Sequence, residues 1–440
     1  MKHSFVSALI AGLLLLIAAC RDPRPGVNPP DYRDAYLPEM DGLFDKFQKL
    51  QESGSFRVLA DTLKKANEDL QASELYVQAA YAFWEAGDKD SATSMLHRAI
   101  DRGMSNPKIL EKFPDPVNKP SGASGKHLLE RLDSIRTQLS KPSNFELKTA
   151  SMEAFWPHFE KAMADTSKAR RHLKAFILEG PPEVRDFYVV RYGSIDNMYG
   201  QMINGAPDYY RYLKTRLQAD RLAVFKETIL ESMKRFQELY PKAVFPKVYI
   251  VPGILNSGGT ATEMGMFLGG DMYGRSPEMP VEDLTEWQQG AIMDFSDLPR
   301  LTIHELMHFQ QNYQDKAHRE TLLSAVIREG VCDFMVELCS GIPMSNDNLN
   351  FISDPANEAW IFGELQEELM GDDYSKWLYN GGSIEDRPHD LGYTVGYLIC
   401  KSYYRQSPDK SKAADELLNT DDFTSIVKNS QYAYLIKEPI

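Results

Sequence analysis

Apolar and polar positions along this chain follow mostly helical spacing. A short apolar run from Phe5 to Ala19 comes first, and a polar, proline-rich stretch follows it. From about residue 38 to 140 apolar and small residues recur at helical spacing, which predicts helices. The clearest segment, residues 73–100, keeps that pattern on both sides of Gly87-Asp88 and reads as two helices joined by a tight turn. Pro114-Asp115-Pro116 through Pro120-Ser121-Gly122 reads as a loop, and Pro142–Asn144 as a second break. The chain beyond is again helical, with a long helix near residues 220–239. Residues 243–251 change character: they are rich in β-branched and aromatic side chains, end at Pro252-Gly253, and predict a strand. Residues 256–260 read as a turn, and 264–268, closed by Gly269-Gly270, as a second strand. Helices dominate from Leu298 to the end. The expected class is mainly α (α+β): a helical N-terminal region followed by a domain with a small β-sheet.

Within residues 73–100, Ala80, Phe83, Gly87, Ala92, Leu96 and Ala99 fall where a tetratricopeptide repeat carries its packing residues. The segment resembles one such unit. No second copy stands at the repeat offset of about 34 residues, and one unit alone is not a stable solenoid. A helical hairpin packed on the next domain explains the pattern equally well. The expected organisation is a leader over 1–19, a tether over 20–37, a helical region over 38–145 and a larger domain over 146–440.

Charge narrows the partners. The net charge is -14 and the pI about 5.2, which argues against a nucleic acid, because phosphate binding needs a basic surface. Lys2 and His3 precede the apolar run, which has the length of a signal-peptide core and is too short for a membrane span. It ends Leu16-Ile17-Ala18-Ala19-Cys20, which resembles the lipobox of bacterial lipoproteins. That resemblance implies cleavage before Cys20 and a lipid on it, anchoring the chain in the cell envelope. Arg21, in place of the Asp that retains lipoproteins at the inner membrane, points to the outer membrane. Cys332 and Cys339 lie two turns apart on one expected helix, about 10 Å along its axis and too far to bridge. With Cys400 they read as buried thiols.

The chemistry is concentrated in one helix and its successor. Asp297-Leu298-Pro299 looks like a helix start, and the helix expected over residues 300–313 contains His304-Glu305-Leu306-Met307-His308. Residues four apart project from one helix face, so the two imidazoles can share one Zn²⁺. Glu305 points aside, where it can take a proton from water rather than bind the metal. No charged residue other than His308 occurs over 301–303 or 306–309, as suits a buried active-site helix. Glu329 follows His308 after enough chain for one helix to finish and a second to return antiparallel. Asp333, one turn after Glu329, is placed to accept the free N–H of a ligand histidine.

This pattern resembles the gluzincin metallopeptidases, in which HExxH is followed by a downstream Glu and often by Asp four residues on. "HELMHFQQ", "REGVCDFMVEL" and "DRPHDLGYTVGYLI" look like a bacterial family of predicted zinc-dependent proteases, over roughly residues 248–404. The resemblance implies one Zn²⁺ held by His304, His308 and Glu329, with Glu305 as general base and Asp333 behind the ligands. It implies that Gly258, Gly259, Thr260 and the strand after them edge a cleft for an extended peptide or protein substrate. Tyr393-Thr394-Val395-Gly396 resembles the Y-x-x-G of aminopeptidase-like gluzincins and makes Tyr393 the candidate oxyanion donor, with helix packing as the plain alternative and His389 as another donor. Gln310 departs from the usual apolar residue at its position. The expected function is membrane-tethered peptide hydrolysis; the alternative is a non-catalytic lipoprotein of the same fold that binds a protein partner. A binding protein could lose Glu305 freely, and this chain keeps it. His97 falls in the repeat-like hairpin, His127, His158, His172 and His318 have no ligand-spaced partner in the sequence, and Trp84, Trp156, Trp287 and Trp360 read as core or rim.

Overall fold

The N-terminal pattern folds as a layer of helices. A computed structural model describes residues 34–113, 120–380 and 384–437. The leader, Cys20, most of the tether and residues 114–119 of the expected loop lie outside those residues. Four helices open the described chain: α1 (Met40–Glu52), α2 (Phe56–Ala66), α3 (Ser73–Glu85) and α4 (Lys89–Asp101). α3 is packed between α2 and α4, and Ala79, Ala80 and Ala82 are fully buried along it, because small side chains let two neighbours approach one helix. The turn between α3 and α4 needs Gly87, whose φ is +80°, and Asp88 then caps α4 by accepting from Ser91 N at 3.0 Å. A further helix, α5 (Gly122–Leu139), packs on α4.

A four-stranded sheet joins segments far apart in sequence: β1 (Leu147–Lys148), β2 (Val248–Val251), β3 (Gly259–Ala261) and β4 (Met266–Gly269), in the order β1-β2-β4-β3. β2 is parallel to β1 and β4, with Val248 opposite Met266; β3 is antiparallel to β4, with Thr260 opposite Phe267. Two strand expectations are corrected here. The strand expected over 243–251 begins only at Val248, because the preceding backbone is engaged elsewhere: Val244 N donates to Gln310 Oε1 at 2.9 Å and Phe245 N to Leu139 O at 2.7 Å, while Pro246 has no N–H. The turn expected over 256–260 is shorter, and Gly259–Ala261 is itself the edge strand. Ser257 Oγ donates to Gly259 O at 2.7 Å and closes the turn early, which frees Gly259 to pair with Leu268.

Helices then cover the sheet and build the centre. α6 (Ala150–Ala164) packs on β2, and the long helix expected near 220–239 is α7 (Ala219–Leu239). α8 (Leu298–His308) touches β3, β4, α7 and α9 (Leu322–Ser340). α8 has Pro in its first turn as expected, but it stops at His308 rather than continuing to Tyr313. Tertiary acceptors win there: Asn312 N donates to Leu418 O at 3.0 Å and Gln314 N to Thr420 O at 3.2 Å. Gln310 is buried and clasps Val244, accepting from its N–H and donating to its carbonyl at 2.7 Å, which explains a polar residue at this position. α9 lies against α10 (Leu391–Gln406) at a contact between Gly330 and Gly396. A Cβ on Gly330 would meet the Gly396 backbone, and one on Gly396 would meet the Val326 carbonyl. The helices approach this closely because neither has a side chain there.

The helical N-terminal layer is bonded to the rest. Ser105 N and Asn106 N both donate to Glu263 O, at 2.8 and 3.1 Å, and Glu74 N donates to Asp186 Oδ1 at 3.1 Å. Among the described residues no helix is long and apolar enough to cross a membrane.

Candidate metal centre

α8 and α9 present their polar side chains to one another across an otherwise apolar contact. His304 and His308 stand one turn apart on α8, and Glu329 and Asp333 one turn apart on α9. Glu329 Oε2 lies 3.3 Å from His304 Nε2 and 3.4 Å from His308 Nε2. The other ring nitrogens are engaged away from that point: His304 Nδ1 is 2.9 Å from Asp333 Oδ1, and His308 Nδ1 is 3.0 Å from Gln311 Oε1. Both acceptors favour a proton on Nδ1, which turns each Nε2 lone pair toward Glu329 Oε2. Two imidazoles and one carboxylate converging on a point, each with its outer atoms fixed, form a donor set that suits Zn²⁺. His304, Glu329 and Asp333 are buried, and about a quarter of the His308 side chain is exposed (26%), so the centre is open on one side.

The electrostatics favour positive charge. Burial works against a protonated His304, but Asp333 and then Glu329 outweigh it and lift the imidazole to about 10. Burial likewise works against an ionised Glu329, yet the two histidines hold it well below the usual carboxylate range. Cys332 competes as a donor, since its Sγ belongs to a group with His304 and His308 whose candidate donor atoms all lie within 4.8 Å of one another. Its orientation is different. Sγ lies 3.4 Å from His308 Nδ1, on the outer side of the ring, and also contacts Gln311 Nε2 and Arg328 O. Burial, then the charges of Glu329 and Asp333, push the thiol well above its ordinary value, which disfavours the thiolate a metal requires. Glu329 therefore fits the third position better. Cys339 and Cys400 are free buried thiols, as expected.

Glu305 is half-buried beside the edge strand. A Cβ on Gly259 would come within 2.6 Å of Glu305 Cδ, so β3 passes directly over this carboxyl. Tyr273 Oη holds Gly258 O at 3.1 Å, and Arg191 Nε donates to Thr260 Oγ1 at 2.6 Å. Burial lowers the Arg191 guanidinium and the nearby Glu305 charge raises it, which puts a cation at the edge of the same site. The Tyr393 ring centroid lies 6.1 Å from that of His304, and burial followed by the charge of Glu329 pushes its phenol up. The structure thus brings His304, His308, Glu329, Asp333, Glu305, Gly259, Thr260 and Tyr393 together. His389 is exposed, and among the described residues its imidazole meets none of them.

Several residues at the centre carried no signal in the sequence reading. Gln311 has no motif, Arg191 is distant in sequence, and Tyr379, whose hydroxyl donates to Glu329 Oε1 at 2.7 Å, sits in a loop. Only Gln311 was within reach of sequence reasoning, as a polar residue one turn after His308. His318, expected to lack partners, sits within 4.8 Å of Asp315 and Asp422. Those carboxylates are committed to backbone donors, Asp315 to His318 N and Phe423 N and Asp422 to Ser425 N, so the group ties loop ends together.

A cavity of about 860 Å³ reaches the centre at His308. It runs past the end of β3 at Ala261 to a wall formed by Asn106, Lys108 and Lys112 of the helical region.

Residues 285–423, less than half of the chain, match a family described as predicted Zn-dependent protease (DUF2268). The matched stretch carries α8, α9 and α10 and leaves out the sheet and the helical N-terminal layer. No curated protein and no solved structure matches the chain.

Proposed function

We propose that this chain is a zinc-dependent peptidase of the gluzincin type, with His304, His308 and Glu329 as ligands and Glu305 as general base. The carrying observation is the convergence of His304 Nε2, His308 Nε2 and Glu329 Oε2, with both outer ring nitrogens facing acceptors. The similarity of residues 285–423 to predicted zinc-dependent proteases supports the same chemistry. Zinc supplies a Lewis acid that polarises a carbonyl and makes water a better nucleophile near neutral pH.

The protein's own groups do the rest. Glu305 accepts a proton from the attacking water and returns it to the leaving amine. β3 offers its free edge to an extended substrate, and Gly259 keeps that strand close to Glu305 without a side chain between them. Arg191 beside Thr260 offers a cation to a substrate carbonyl, and Tyr393 a hydroxyl for the developing oxyanion. Cys20, cleaved and lipidated, would tether the enzyme to a bacterial envelope membrane, and the single repeat-like hairpin would serve as a packing unit. The test is a peptide library incubated with the purified protein, with and without zinc. Zinc-dependent cleavage is expected; a zinc-loaded protein inert on every peptide would favour the partner-binding alternative. For the tether, Cys20→Ser should abolish fatty-acid labelling and release the protein from membranes, and unlabelled but retained protein would refute the lipid anchor.

A further inference from the structure

The two oxygens of Glu329 have different partners. Oε2 faces both imidazoles, at 3.3 and 3.4 Å, and Oε1 accepts from the Tyr379 hydroxyl at 2.7 Å. We propose that Tyr379 is a positioning residue for the metal centre: it fixes Oε1 so that Oε2 alone serves as donor, and a coordination position stays open for water and substrate. The inference rests on the zinc reading and adds a residue to it.

Three features of Tyr379 carry the argument. The residue is left largely in water, at 67% exposure, whereas a tyrosine usually buries its ring and wets its hydroxyl. Ring burial therefore does not account for the residue, and the hydroxyl is the part that is engaged. Its backbone is left-handed at φ +58°, a conformation that side-chain-bearing residues rarely adopt. The surroundings enforce it: Asn380 N donates to Asp390 Oδ1 at 2.9 Å and Asp390 N to Asn380 Oδ1 at 3.0 Å, a reciprocal clamp just beyond Tyr379. Strain held in place by the surrounding structure is of the kind found at functional sites, and here it accompanies a hydroxyl engaged on Glu329. Finally, the ring meets Tyr393 edge-on with centroids 6.2 Å apart, and Tyr393 in turn lies beside His304, which limits sideways movement of the phenol.

The chemical need is specific. A free carboxylate can bind a cation through one oxygen or both, and binding through both takes up space that a catalytic site keeps for water. A hydrogen bond to one oxygen breaks that equivalence and lowers the basicity of the bonded atom. Partners of this kind around metal ligands typically change affinity or activity by about 10–100-fold.

The test compares the full-length protein with Tyr379→Phe, which keeps the ring, its exposure and its contact with Tyr393 but removes the donor. Zinc affinity is measured by chelator competition, and the cobalt-substituted proteins by visible spectroscopy. The variant should melt with the parent, bind zinc about 10-fold more weakly and show altered cobalt bands. On a cleaved peptide, kcat should fall with KM nearly unchanged. Asn380→Ala, which releases the clamp and leaves the hydroxyl, should move the same readouts in the same direction. A Tyr379→Phe protein with the parent's zinc affinity and cobalt spectrum would overturn this role while leaving the zinc reading intact. A parent that binds neither metal would overturn both.

Discussion

The side chains behind the ligands decide what the centre can do. Asp333 Oδ1 lies 2.9 Å from His304 Nδ1 and also receives Arg300 at 3.7 Å, so it orients the imidazole and is itself held. Asp333→Ala should leave the fold intact and weaken zinc binding by about 10–100-fold, measured by chelator competition. An unchanged affinity would mean that His304 is oriented by packing alone. Glu305 is different in kind, because nothing places it among the donors. Glu305→Gln should keep its zinc and lose hydrolysis by several orders of magnitude in kcat, since the amide cannot take a proton. A fully active variant would remove Glu305 from the mechanism. These two residues were legible in the sequence because helical spacing marks them, Glu305 next to His304 on α8 and Asp333 one turn after Glu329 on α9. Tyr379 and Arg191 were not, because each reaches the site from a segment whose position only the folded chain defines.

At the scale of elements, the centre depends on how closely α9 and α10 approach. Gly396 belongs to the Y-x-x-G that suggested Tyr393, but the structure gives this glycine a packing duty against Gly330 and the Val326 carbonyl. Gly396→Ala should force the helices apart, cost on the order of 3 kcal/mol in stability and reduce zinc affinity, because Tyr393 and Glu329 sit on opposite sides of that contact. Urea denaturation with a zinc titration checks it, and a variant as stable as the parent would show that the helices can slide. The mainly helical class was readable from periodicity. Helix and strand ends were not: α8 ends five residues early and β2 starts five late because Gln310, Leu139 and Leu418 take their backbone groups, and no local pattern records such partners.

Across the whole molecule, the helical N-terminal layer walls the cavity that reaches His308, since Asn106, Lys108 and Lys112 line it. Its seam with the remainder contains buried acids. Glu74 Oε2 and Asp186 Oδ2 have no hydrogen-bond partner among the described residues. Burial, then the charge of Glu263, lifts Glu74 from 4.5 to about 7, with Lys112 and Gln78 opposing the rise, and burial followed by Glu74 lifts Asp186 as well. A carboxyl raised on folding binds its proton more tightly in the folded chain. Its contribution is full below pH 4.5 and is lost as pH rises through about 7. Glu74→Gln should therefore stabilise the protein at pH 8 by on the order of 2 kcal/mol and flatten the stability profile between those values. Urea midpoints across that range check it, and an unchanged slope would contradict the seam's role. The helical pattern of the N-terminal region was readable in the sequence, but this shared wall was not, because it joins residues near 106 to residues near 263. The most direct test of the central claim is the zinc content of the purified parent and of His304→Ala, measured by mass spectrometry of the metal after dialysis. The parent should hold about one zinc per chain and His304→Ala essentially none, because two remaining protein ligands do not make a tight site. Stoichiometric zinc in His304→Ala, or a parent that takes up no zinc, would contradict the account.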